Sequence, residues 1–372
     1  MRRLPVVVLL FGAQGCTPLK PSGDRVDGGC ALHHPLPPPN SATESASRSQ
    51  IPSAARDLVF AIATTDFGSE PTDAGGPAYK TFGFDLDNAC KGVDGCVEPS
   101  WATSSHHVGD EGIDNAYGQL IEGTYSNSAN ASAETPEVLF RIRDYSGAPD
   151  QDPVDVSIYV ALGLARDDGS SEPVWDGKDR WNILPEFLAD TGDGGALSVG
   201  QPRFHADRAY VTGFTLVARF DETLWPGEAY FAPRLLVTAH QLTIQGKLTP
   251  VGDAGAGWEL PALVAGLRVS ATDSLTILAL QNLTAPDGGA VQYCQDKPSY
   301  DSAKQLFCSF VDVTADPNAV RSTPCDALSA GVIYHAREAL LGGIKGPAPP
   351  LPGCALGILP LGTDSCDTLT DP

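Results

Sequence analysis

Several stretches of the chain alternate apolar and polar residues with period two. Val154, Val156, Ile158, Val160 and Leu162 fall on one face of an extended segment, with Asp155, Ser157 and Tyr159 on the other. Leu242, Ile244 and Leu248 oppose Thr243, Gln245 and Lys247, while Val138, Phe140 and Ile142 oppose Leu139, Arg141 and Arg143. Half-buried strands produce this alternation, because successive side chains leave a strand on opposite sides. DLVFAIATT, RAYVTG, FTLVARF, RLLVTAH and GVIYHAR read as further strands, two of them joined by a hairpin around Thr212-Gly213. Helical spacing is rarer. Ile113, Ala116, Tyr117, Leu120 and Ile121 share a helix face, in a helix starting near Glu111 with Asp110 as its cap. Ala303, Leu306, Phe307, Phe310 and Val311 repeat the spacing after a capping Asp301 or Ser302, and TDSLTILALQNL, from Thr272, is a third stretch. With 39 Gly and 31 Pro favouring turns, the expectation is a mainly β chain. Its form would be an antiparallel β-sandwich or jelly-roll-like domain with a few short helices, stapled by disulfides.

The first residues change the picture. Arg2 and Arg3 precede an apolar run, Leu4 to Phe11, too short to span a bilayer, and small residues follow. That is the layout of a secretory signal over residues 1–15. Cys16 directly follows, and the arrangement resembles the lipobox of bacterial lipoproteins, which implies acylation of Cys16 and a membrane anchor. Residues 16–55 are rich in Pro, Ser, Gly and Ala and read as a flexible linker. Residues 56–372 would then form the β-rich extracytoplasmic domain, as one unit or two fused lobes.

Nine cysteines remain to be placed. With Cys16 taken by lipid, the rest are even in number, as expected of a disulfide-bonded exported chain. The expected pairing is Cys90–Cys96, with Cys294, Cys308, Cys325, Cys354 and Cys366 in a C-terminal knot that recruits Cys30. The formal net charge of −22 repels phosphate, which excludes nucleic acid as a partner class and leaves any membrane contact to the lipid.

Candidate chemistry centres on GFDLDNAC. In an extended segment Asp85 and Asp87 share one face. Carboxylates so placed repel unless a cation or hydrogen-bond donors lie between them, and calcium takes six to eight such hard oxygens. Asn88, Asp110 and Asp114 are further candidate ligands, although the EF-hand pattern is not met. The alternatives are helix capping and turns, or a catalytic carboxylate pair. Trp175, Asp176, Asp179 and Trp181, in PVWDGKDRW, could stack on and hydrogen-bond a sugar, or simply form a turn. His106 and His107 are adjacent and poorly placed for one ion. Ser198 and Ser329 each miss the nucleophile elbow at its first glycine.

The lipobox-like start, GFDLDNAC with Cys96, GIDNAYG, VWDGKDRW and PCDALSAGVIYHA together resemble uncharacterised exported lipoproteins of myxobacterial type. The resemblance implies a location at the cell envelope and carries no activity. The expectation is a non-enzymatic binding or structural module with calcium, a glycan or an envelope protein as candidate partner. A secreted hydrolase of glycans or esters using an Asp pair is the alternative.

Overall fold

The computed structural model describes residues 24–25, 31–39, 56–68, 78–81, 83–87, 96–97, 112–121, 129–130, 136–165, 172–190, 196–226, 236–251, 257–280, 282–284, 290–320, 322–346 and 362–369. Ten strands carry the architecture: β1 (Arg56–Asp66), β2 (Pro136–Tyr145), β3 (Asp155–Leu164), β4 (Arg180–Ile183), β5 (Arg208–Thr212), β6 (Thr215–Pro226), β7 (Leu236–Lys247), β8 (Trp258–Ser270), β9 (Ala327–Glu338) and β10 (Leu340–Ile344). They join one sheet in the order β10-β4-β3-β2-β1-β9-β8-β7-β6-β5. Every pair is antiparallel except β10 with β4. The mainly β expectation therefore holds, with chain neighbours lying side by side as in a meander.

The sheet curls until its far strand meets its own beginning. Gln151, in the approach to β3, exchanges backbone hydrogen bonds with Val211 of β5 at 2.9 and 2.8 Å, and Val154 N–H donates to Ala209. The path from β3 through β1 and β9 to β5 thus encloses an interior. The expected alternation fills it: Phe60, Phe140, Ile158, Leu216, Ile244, Ala265 and Tyr334 are all buried in one cluster. At about 25 cal/mol for each Å² of apolar surface removed from water, this burial is the main stabilising contribution. The β5–β6 hairpin turns at Gly213 and Phe214, with φ of 55° and 65°. Two successive positive φ values define the turn whose twist matches paired strands, which explains a glycine there.

Among the described residues three helices pack at one end: α1 (Ala116–Leu120), α2 (Ala271–Leu280) and α3 (Lys297–Cys308). Their starts correct the sequence reading. The cap of α1 is Asn115, whose side chain accepts from Gly118 N–H, and not Asp110. Residues before it stay extended because Asp114 bridges to Phe84. Asp301 and Ser302 lie inside α3, which begins five residues earlier than expected at Lys297 with Pro298 in its first turn. Ser270 caps α2 by accepting from Asp273 N–H at 3.1 Å.

Two further corrections concern the N-terminal stretch and the cysteines. Residues 31–39, expected within the flexible linker, run across the outside of the sheet. His33 N–H donates to Gly112, Asp85 N–H donates to His33, and Leu36 N–H donates to Gln245 Oε1 at 2.8 Å. Cys96 pairs with Cys325 rather than with Cys90. Cys308 pairs with Cys366, as a C-terminal knot requires, and Cys294 is also in a disulfide. Cys308, Cys325 and Cys366 sit in a second apolar cluster with Leu275, Phe307 and Phe310, under α2 and α3. Cys16, Cys30, Cys90 and Cys354, with residues 1–15, lie outside the described residues. Among the described residues no helix is long and apolar enough to cross a membrane.

Candidate functional site

The acidic segment lies on the outer face of the wall formed by β8 and β9. Phe84 pairs with Asp114, and the pair crosses over Gly266 of β8 and Gly331 of β9. The absence of a side chain at Gly266 permits this approach: a Cβ there would come within 2.8 Å of the Phe84 ring. Carboxylate oxygens of Asp85, Asp87 and Asp114 come within 4.8 Å of one another. Of the expected ligand set these three converge, while Asn88 and Asp110 lie outside the described residues, as do His106 and His107.

Hydrogen bonds already hold much of this cluster. Asp114 Oδ2 accepts from Leu86 N–H at 2.6 Å and from Asp87 N–H at 3.2 Å. Asp312 accepts from Ser329 N–H at 2.9 Å and from the Ser329 hydroxyl, which itself accepts from Ala116 N–H. Arg268 on β8, 2% exposed, reaches into the same region, donating to the carbonyls of Leu86 and Thr314. Burial pushes the Asp114 carboxyl well above the usual carboxylate range, and Asp87, Asp312 and Asp85 push it the same way. Burial also lowers Arg268, while the same four aspartates hold its charge in place. A guanidinium among the carboxylates supplies the counter-charge that a buried acidic cluster requires. None of Asp85, Asp87 and Asp114 lines either of the two cavities found among the described residues.

The tryptophan motif is a turn with a buried floor. Trp181 lies on β4 and is fully buried, and the Trp175 ring packs on it at 6.0 Å. Asp179, also buried, accepts from Trp175 N–H at 2.6 Å and Val174 N–H at 3.2 Å. Asp176 accepts from Lys178 N–H and faces its ammonium at 3.6 Å. Of the candidate sugar-binding residues, Trp175 is half-buried and Asp176 exposed. Asp179 holds the turn, and Trp181 has no face left to offer.

One Ser–His–Asp constellation is present on β3 and its neighbour. Ser157 Oγ lies 3.3 Å and Asp155 Oδ1 3.2 Å from His205, but both meet the same atom, Nδ1. A nucleophilic relay needs the two ring nitrogens separately, and Ser157 is fully buried. Arg143 and His205 also line a shallow surface hollow with Asp190. Ser329 is buried in the Asp312 network, and Ser198 is exposed and turns back to Gly200 N–H.

The sequence reading missed a cavity of about 340 Å³ on the inner side of the same wall. Cross-strand register places its sheet lining on one face: Leu267 opposite Ala330, Val269 opposite Leu328, and Trp225 opposite Val237. Beyond Asp66, β1 no longer pairs with β9, and α1 takes its place against the strand. There Gly331 N–H donates to Asn115 Oδ1 at 2.8 Å, and Tyr117, Leu120 and Ile121 turn toward the cavity. Ser274, Ile277 and Leu278 of α2 and Ala303, Leu306 and Phe307 of α3 close it on the other side. The helix-spaced apolar residues of α1 and α3 were the available sequence signal, since their stripe must face something apolar. No family model, curated protein or solved structure matches the chain.

Proposed function

We propose that this protein is an exported, lipid-anchored binding module of the cell envelope, without catalytic activity, that holds a small ligand in the cavity between its β-wall and helices. The observation that carries the reading is that cavity. Its size falls within the roughly 300–1,000 Å³ of small-molecule sites, and it lies where a curled sheet opens toward capping helices. The signal-like leader, the Cys16 lipobox, the acidic surface and the disulfides support placement outside the cytoplasm. Thermal unfolding against a mixed panel of small molecules tests the binding reading. Ligands that raise the midpoint in wild type should lose their effect in Ala330→Trp, which fills the cavity from β9. Shifts that persist in the filled variant would place binding elsewhere. For anchoring, a fatty-acid probe should label wild type and not Cys16→Ala.

A divalent cation at Asp85, Asp87 and Asp114 is the second reading, favoured by the convergence of their oxygens. Calorimetry with calcium tests it, with saturable heat expected in wild type and none in Asp114→Asn. Arg268 weighs against it, because the cluster already contains a cation.

A further inference from the structure

We infer that the cavity selects uncharged ligands with the bulk of about two fused or linked aromatic rings and discriminates against anions. This rests on the cavity being the ligand site, as proposed above.

The charge argument comes from what the lining lacks and from where the nearest cations point. Among the described residues its polar side-chain groups are the hydroxyls of Ser274, Tyr117, Tyr293 and Tyr334 and the Trp225 indole nitrogen, and no described lining residue is charged. The two cations within the lining segments both turn away. Arg268 lies between Leu267 and Val269 on β8 but reaches out to Leu86 and Thr314. Lys304 follows Ala303 on α3 but binds Asp364 at 2.5 Å on the far side of the helix. Asp273, beside lining Ser274, adds an acid group that accepts from Thr238 N–H. An anionic group entering the cavity would shed its water with no cation from the described lining to meet it.

Size and wall chemistry narrow the class further. An engineered apolar cavity of about 150 Å³ accommodates one benzene. The present volume of about 340 Å³ is therefore suited to roughly two rings. Rings of Tyr117, Trp225, Tyr293, Phe307 and Tyr334 line it, with Trp225 and Tyr334 5.8 Å apart and tilted by 41°. Such faces and edges suit a planar aromatic guest. Leu306, 54% exposed, gives the rim an apolar landing point.

A matched pair of fluorophores tests the inference on the full-length protein. Phenylnaphthylamine is uncharged at neutral pH, and anilinonaphthalene sulfonate keeps its skeleton and adds one negative charge. The uncharged probe should bind roughly a hundredfold more tightly, the ratio that about 2.7 kcal/mol of uncompensated charge burial produces. Ala303→Lys, which places a cation on the cavity side of α3, should raise sulfonate affinity and narrow that ratio. Equal affinity of the two probes in wild type would overturn charge selection while leaving the cavity as a binding site. Failure of both probes to bind would overturn the cavity reading itself. Binding of the uncharged probe that survives Ala330→Trp unchanged, or Ala303→Trp should the first variant not fold, would overturn both.

Discussion

Arg268 and Val269 are neighbours in the chain and face opposite sides of the same wall. The guanidinium lies among Asp85, Asp87, Asp114 and Asp312, and the valine lines the apolar cavity. Strand alternation imposes this division, so one three-residue step of β8 carries both the outer ionic cluster and the inner lining. Ser329, between Leu328 and Ala330, repeats it on β9.

Removing the cation should be costly. Arg268→Met leaves buried carboxylates without a counter-charge and should lower unfolding free energy by about 3–5 kcal/mol at neutral pH. Urea denaturation measures it. The deficit should shrink in acid, where the aspartates are protonated in both states. An unchanged midpoint would remove Arg268 from its role.

Asp114→Asn should act in the opposite direction. The folded-state carboxyl of Asp114 is raised above its unfolded value, so the folded state binds the proton more tightly. Its contribution is fully present below the unfolded carboxyl value and is lost as pH rises through the folded one. Asparagine carries no charge and keeps an oxygen for the Leu86 and Asp87 N–H groups. Thermal midpoints of the variant should exceed wild type at neutral pH and converge with it in acid.

The C-terminal stretch behaves with the reverse sign. Burial pushes Asp364 up, but the hydrogen bonds from Lys304 at 2.5 Å and Tyr300 at 2.7 Å prevail and hold it below its ordinary value. This stabilisation is present above the unfolded carboxyl value and is lost as pH falls through the folded one. Asp364→Asn should cost about 1 kcal/mol at neutral pH, because solvent screens a partly exposed pair, and less once the wild-type group is protonated. Hydrogen exchange of α3 amides should register the loss first.

Cys308→Ser with Cys366→Ser opens a loop of 58 residues of separation. Chain entropy sets the loss at roughly 4 kcal/mol, read by guanidinium unfolding without reductant. The β-wall is not crosslinked by this bridge, so probe affinity should fall more through loosening of α3 than through unfolding of the sheet.

Most of the interior was legible because period two survives wherever one face meets the core. β2, β3 and β7 match their alternating stretches, β9 contains the strand candidate GVIYHAR, and the hairpin at Gly213 follows from its turn residues. The thirteen-residue β8 escaped notice, although it is the longest strand among the described residues. Pro261 and Gly266 interrupt its pattern. A shift of register between Leu260 and Leu263 accommodates the proline, and Gly266 answers to the overlying Phe84. Asp85, Asp87 and Asp114 are legible as candidate ligands, but the buried Arg268 among them is not, because nothing local marks which arginine a distant acidic segment will cover. The cavity had the weakest signal of all. It is made by side chains from strands and helices far apart in sequence, and only their three-dimensional meeting leaves the gap.

The first long strand finds its partner in the last. β1 is seamed to β9, and Cys96 is bonded to Cys325 across a separation of 229 residues. β1 cannot close the wall until β9 has been synthesised. Until then the meander carries two raw edges, each able to recruit a stray strand. The Cys96–Cys325 bond forms only where thiols are oxidised, so an oxidant present as the edges meet fixes the closed wall.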